Sequence, residues 1–195
     1  MTSVGYVPFG ITVCGIEELG GFCRVGVSHV LSILDPDHPS PPAFGAYGEH
    51  ERLELRFHDI IEPQDGMLLP TRGDVERILE FGRDLMVEPR SRRHLLVHCH
   101  AGVSRSTAAM TLILSQARPD RPAADAVAAV RRIRPQVWPN LRIIELGDAL
   151  LGRNGEIVEA VRGLYRARAA ADPDWARRII DAGRGREVPE PHPAG

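Results

Sequence analysis

Cys99 and Arg105 stand on either side of five residues, His100-Ala101-Gly102-Val103-Ser104, and Ser106 follows directly. The run Leu95-Leu96-Val97 before them is short and apolar and reads as a buried strand. The run from Ala108 to Leu114 after them reads as a buried helix. The segment is therefore strand, tight loop, helix N-terminus, where backbone N–H groups point outward and the helix dipole favours an anion. A cysteine in that place, close to an arginine, ionises far more readily than a free thiol and becomes a nucleophile. Five intervening residues are the right number to curl around one tetrahedral anion. Gly102 permits the tight turn, and the planar fork of Arg105 takes two phosphate oxygens at once. The chemistry within reach is attack of Cys99 on phosphorus while Arg105 and the amides of His100, Ala101, Gly102, Val103 and Ser104 hold the oxygens. Ser106 is expected to donate its hydroxyl hydrogen to the thiolate and ease its departure in a second step. His98 is expected to hydrogen-bond the loop backbone rather than act as a base. A zinc site made of His98, Cys99 and His100 is disfavoured, because neighbouring strand residues point to opposite faces and no second cluster has ligand spacing. The plain alternative is a buried strand cysteine followed by a solvated loop, which leaves the glycine, arginine and serine offsets to coincidence.

The pattern His98-Cys99-x2-Gly102-x2-Arg105-Ser106 resembles the signature of the cysteine-dependent protein tyrosine phosphatase superfamily, in its small dual-specificity-like, bacterial-type branch. Residues 28–34 resemble that branch's second strand, and residues 53–59 the strand leading into its general-acid loop. Residues 133–140, ending Trp138-Pro139-Asn140, resemble its late helix–loop–helix segment. The resemblance spans about residues 10–152. It implies an α/β fold with a central, mostly parallel sheet of four to five strands flanked by helices. It further implies catalysis through a phosphocysteine intermediate, with no cofactor and no metal, Arg105 and the loop supplying the positive field. The implied function is phosphomonoester hydrolysis, as a protein tyrosine or dual-specificity phosphatase acting on a phosphorylated protein or a small phosphomonoester.

Transfer of a phosphoryl group to a thiolate also needs a proton donor for the leaving oxygen. The resemblance implies an aspartate on a mobile loop a few tens of residues before the nucleophile. Asp59 is the expected acid: it follows a strand, stands 40 positions before Cys99 and opens a loop containing Pro63, Asp65 and Gly66. That spacing is longer than the family's, so Asp65, 34 positions before Cys99, is a rival and Glu62 a remoter one. An exposed turn residue is the ordinary alternative for a lone aspartate, and His58 reads as an exposed loop histidine. Two readings from other classes stay open. A phosphate-recognition module of pseudophosphatase type would keep the cradle and lose the cysteine or the acid, yet both are present. A rhodanese-type sulfurtransferase also carries a cysteine on an anion loop, but without the Gly-x2-Arg-Ser pattern. The loop residues His100, Ala101, Val103 and Ser104 include no lysine or arginine, which disfavours a highly charged inositide headgroup.

These residues need a scaffold, and the sequence supplies one domain over residues 1–182, with a core at 10–152 and a helical extension at 153–182. Strands are expected at 11–14, 29–34, 52–57 and 94–98. Helices are expected at 16–24, 71–86, 104–116, 123–133, 141–151, 156–170 and 175–180. Residues 183–195 have little apolar content and several proline and glycine interruptions, and read as a tail without fixed structure. The loop 35–50 is rich in proline and glycine and leaves the same sheet edge as the catalytic loop. His38, Phe44, Tyr47 and His50 are thus candidates for the cleft rim, against the alternative of a solvated loop. A net charge of −2 gives no case for a nucleic-acid or anionic-membrane partner. All 24 basic residues are arginine, as a GC-rich genome would encode, so any basic substrate contact comes from arginine or histidine. Three cysteines, Cys14, Cys23 and Cys99, suit a reducing cytoplasm. Cys14 and Cys23 read as small core residues, with a protective disulfide to an oxidised Cys99 as the alternative. The N-terminus has no charged-then-apolar leader and no apolar run approaches about 18 residues, so the expectation is a cytoplasmic protein without a membrane partner.

Overall fold

The structure, a computed structural model, describes residues 6–87 and 93–188. Four strands, β1 (Gly10–Cys14), β2 (His29–Leu34), β3 (Glu51–Arg56) and β4 (His94–His98), form one parallel sheet in the order β1-β4-β2-β3. β4 is central, with Leu95 opposite Ile11 on one side and His29 on the other. Successive strand residues point to opposite faces, and the core divides accordingly. Leu31, Ile33, Leu95 and Val97 join the main core with the helices. Val30 and Leu96 face the other way, onto a smaller cluster with Cys14, Leu19 and Phe44. Short 3-10 segments, Ile16–Phe22 and Pro42–Ala46, carry that second layer.

The helices are α1 (Arg72–Val87), α2 (Arg105–Ala117), α3 (Ala123–Ile133), α4 (Leu141–Leu151), α5 (Glu156–Ala171) and α6 (Pro173–Asp181). α2 starts just beyond β4 and every residue from Arg105 to Ser115 is buried. A helix enclosed on all sides must be apolar all round, which explains the run from Ala108 to Leu114. α1, α3 and α4 pack around it. α5 lays Ile157, Val161, Leu164 and Tyr165 against α3 and α4. Among the described residues no helix is long and apolar enough to cross a membrane.

Two segments differ from expectation. Residues 16–24, expected as a helix, make a 3-10 segment ending at Phe22, where Gly20 and Gly21 disfavour a regular helix. Residues 183–188, expected as the start of a structureless tail, turn back onto the body of the protein, with a 3-10 turn at Gly185–Glu187. Residues 189–195 lie outside the described residues. The anchor is polar, and so leaves no mark in apolar content. Glu187 is fully buried and accepts hydrogen bonds from Trp138 Nε1 (2.7 Å), Leu141 N (2.9 Å), Arg184 Nε (2.9 Å) and Arg184 Nη2 (2.7 Å). Burial pushes its carboxyl up, against the pull of Arg184. Removing one partner of a buried ion pair leaves the other charge uncompensated. Glu187→Ala is therefore expected to lower stability by about 3–5 kcal/mol, read from the urea midpoint. A loss under about 1 kcal/mol, the range of a surface pair, would contradict this anchoring.

Candidate active site

The loop from Cys99 to Ser104 is shaped from outside. Its carbonyls are drawn outward by donors on several elements. Ile16 N donates to His100 O (2.9 Å), Trp138 N to Val103 O (2.9 Å) and Asn140 N to Ser104 O (3.3 Å). Arg134 supplies two more bonds, from Nη2 to Ala101 O (2.7 Å) and from Nε to Gly102 O (3.0 Å). In a trans peptide each N–H points opposite to the preceding C=O. Fixing these five carbonyls outward therefore turns the amides of Ala101 through Arg105 to the concave side. Gly102 makes the close approach possible: its φ is +70°, and a Cβ there would stand 2.4 Å from the Cys14 carbonyl carbon.

Cys99 lies at the base of this cradle, 2% exposed, with Sγ 3.1 Å from Ser106 Oγ. Arg105, the first residue of α2, is also buried. Its Nη1 donates to Asp35 Oδ1 (2.7 Å) and to Phe57 O (2.6 Å), while its Nε has no partner among the described residues. A buried N–H without an acceptor is costly, and this one belongs to a residue that lines the same pocket as Cys99. His100 accepts from Asp35 N at its Nε2 (3.2 Å) and stacks edge-on against His38. His98 does not line the pocket: its Nε2 bonds Ser32 Oγ on β2 (2.7 Å), and burial pushes its pKa down to about 4, leaving it neutral near pH 7.

Asp59 enters from the segment after β3. Phe57, Ile60 and Ile61 beside it are buried and hold that segment down. One Asp59 oxygen, Oδ1, accepts from Ser104 Oγ (2.7 Å) and Asn140 Nδ2 (2.9 Å), and Arg184 Nη1 lies 3.1 Å from it. Desolvation pushes the carboxyl up. Arg184 first, then Arg105, with the Asn140 and Ser104 hydrogen bonds, outweigh it and hold Asp59 below the usual carboxylate range. Asp59, Cys99, Arg105 and Arg184 share a pocket of about 210 Å³, with Trp138, Trp175 and Ile179 as its apolar wall.

The structure thus brings Cys99, Arg105, Ser106 and Asp59 to one place. It does not bring the rival acids: Asp65 is exposed outside the pocket, and Glu62 pairs with Arg186 (2.6 Å). His58 accepts from Leu68 N instead of facing the cleft. Of the rim candidates, His38 reaches the site through His100. Phe44, Tyr47 and His50 pack with one another on the second core layer. Cys14, Cys23 and Cys99 are all free thiols, and burial pushes the Cys14 thiol up to about 12. Asp35, Arg134, Asn140 as a hydrogen-bond hub and Arg184 escaped the sequence reading. Asp35 has a usable signal, since it directly follows β2 at the sheet edge where ligands bind.

No family model and no curated protein matches the sequence. Solved structures do. Human DUSP28 superposes with a TM-score of 0.53 at 17% identity, over 73% of this chain and 94% of that one. The PTP-2 phosphatase of Cydia pomonella gives 0.56 at 20% identity, over 74% and 87%. A human tyrosine phosphatase-like serine/threonine/tyrosine-interacting protein gives 0.56 at 16% identity, over 77% and 95%. The fold is that of the dual-specificity and protein tyrosine phosphatases.

Gly102→Ala tests the shape of the cradle. The new methyl meets the β1 backbone, which cannot yield as a side chain would. Strain of about 1–3 kcal/mol is expected, and with it a loss of roughly tenfold or more in orthovanadate affinity, measured by calorimetry. Undiminished binding would show that the loop has another resting shape.

Proposed function

We propose that the protein is a phosphomonoester hydrolase working through a phosphocysteine intermediate, with Cys99 as nucleophile and Asp59 as general acid and base. The observation that carries this reading is the unpartnered, buried Nε of Arg105 beside Cys99, above a ring of inward amides. A phosphate oxygen is the acceptor that completes this set. Cys99 attacks phosphorus as the ester oxygen departs, and Arg105 and the amides hold the charge spread over the three equatorial oxygens. Asp59 protonates the departing oxygen. Water then attacks the phosphocysteine, Asp59 takes its proton, and the Ser106 hydroxyl, 3.1 Å from the sulfur, stabilises the thiolate that leaves. The pocket size and its apolar wall suit a phosphorylated side chain or a small phosphomonoester.

A second reading, a phosphate-recognition module without turnover, draws on one observation: Asp59 is already engaged by Arg184, Ser104 and Asn140. The fold does not choose between the two, since one structural neighbour is named phosphatase-like and interacting.

Hydrolysis of p-nitrophenyl phosphate in the presence of chelator separates them. Wild type should turn over, Cys99→Ser should be dead, and Asp59→Ala should be slowed by less than the roughly 100-fold that full acid assistance is worth, because a nitrophenolate leaves readily without a proton. Wild type that binds vanadate without turnover would establish the recognition module. The acid works only when protonated, and its pKa is held down. The kcat/KM profile should therefore fall as pH rises through an acidic pKa, placing the optimum below neutrality. A rate that climbs steadily to alkaline pH would contradict Asp59 as the acid.

A further inference from the structure

Arg184 belongs to the segment that follows α6, far from the sequence that carries the cradle, yet it is one of the most enclosed charges in the protein, at 6% exposure. Its position is built. Glu187 holds it through Nε and Nη2 and is in turn fixed by Trp138 and Leu141. From there Nη2 also donates to Ser104 Oγ (2.9 Å), on the cradle itself, and Nη1 stands 3.1 Å from Asp59 Oδ1. Ser104 Oγ in turn donates to the same Asp59 oxygen, which closes a three-membered polar ring at the pocket wall. None of these contacts is needed to hold a phosphate. Each of them bears on Asp59.

We propose that Arg184 is a positioning residue that fixes Asp59 in the site as a carboxylate, and that it thereby restricts turnover to esters with acidic leaving groups, aryl phosphates rather than alkyl phosphates. This rests on the phosphatase reading above and adds a residue to it. In the first step the S–P bond forms and the P–O bond breaks. When Asp59 carries a proton, that proton goes to the departing oxygen. When Asp59 is ionised, the oxygen leaves as an anion and takes its proton from water. A phenolate tolerates this departure, since phenols have pKa values near 10; an aliphatic alkoxide is far more basic and does not. In the second step the preference reverses. Water attacks phosphorus, the S–P bond breaks, the thiolate leaves, and an ionised Asp59 is ready to take the water's proton. Arg184 thus favours the second step and makes the first depend on the leaving group.

The groups facing Asp59 are Cys99, His100 and Arg105 from the cradle, Asn140 at the start of α4, and Arg184 with its anchor Glu187. Tyr165 on α5 is the next titratable group. Arg105 cannot be removed without losing the phosphate site. Arg184 holds Asp59, Ser104 Oγ and Glu187, so the comparison needs the conservative variant and the paired variant beside the single one.

The test compares wild type, Arg184→Gln, Arg184→Lys and the pair Arg184→Gln with Glu187→Gln. The pair removes both charges of the anchor together, so neither is left buried without its partner. The substrates are a series of substituted phenyl phosphates and one peptide carrying phosphotyrosine or phosphoserine. Wild type should lose roughly tenfold or more in kcat/KM from p-nitrophenyl to phenyl phosphate, and more again on the phosphoserine peptide. In Arg184→Gln, or in the double variant, that dependence should flatten and the basic limb of the pH profile should move up by about one unit or more, the size of a neighbouring charge. Arg184→Lys should restore both. An unmoved limb and an unchanged leaving-group dependence in a folded variant would overturn the proposal while leaving the phosphatase reading intact. A change that lysine fails to restore would reduce Arg184 to a packing role and overturn it equally. Wild type that binds vanadate but cleaves no ester would overturn the phosphatase reading, and this inference with it.

Discussion

Five consecutive carbonyls, from His100 to Ser104, are pulled away from the pocket by Ile16, Arg134, Trp138 and Asn140. The site depends on this more than on any single side chain. A row of amides can face one anion only if the opposite row of acceptors is satisfied elsewhere, because a buried carbonyl left unpaired is itself costly. These four donors come from two distant stretches of chain, Ile16 and residues 134–140, so the cradle is held by the tertiary fold as well as by local bonds from Thr107. Gly102 is the point where this tension meets steric limits, since the β1 backbone stands directly behind it.

The electrostatics follow the same plan. Each pocket arginine already has a carboxylate, Arg105 with Asp35 and Arg184 with Asp59. Burying a guanidinium without such a partner would be prohibitive. Asp35 occupies only Nη1 of Arg105, and Nε has no partner among the described residues. In the proposed reaction an oxyanion would find this guanidinium held in place by a carboxylate that it need not displace.

The core of this arrangement was legible in the sequence because two periodicities meet at one point. The apolar run before Cys99 and the one after Arg105 define a strand and a buried helix, and they fix where the loop must lie. The helices at 123–133 and 141–151 could be read to the residue, with Pro122 and Asn140 marking their starts and Gly152 the end of the second. Residues 16–24 failed because apolar spacing alone does not register the helix-breaking effect of Gly20-Gly21. The segment after α6 failed for a different reason. Its anchoring is through Glu187 and Arg184, a polar pair whose partners Trp138 and Leu141 lie more than forty positions away. No local pattern encodes such a contact. Arg184 is one of 24 arginines, and nothing in its neighbourhood sets it apart.

Cys99 and Arg105 sit where the enclosed α2 meets the central strand, and such regions open only when the whole domain unfolds. The segment that carries Arg184 is held by Glu187, Ile179 and Trp175, with Ile180 left half in solvent. The pocket therefore joins the enclosed core to a segment anchored through one buried polar pair. Release of this segment would take Arg184 from Asp59 and leave the carboxylate to Ser104 Oγ and Asn140 Nδ2. The amides and Arg105 are thus set by the core and the charge beside Asp59 by a distant stretch of chain, so a change confined to residues 184–187 reaches the carboxylate before it reaches the cradle.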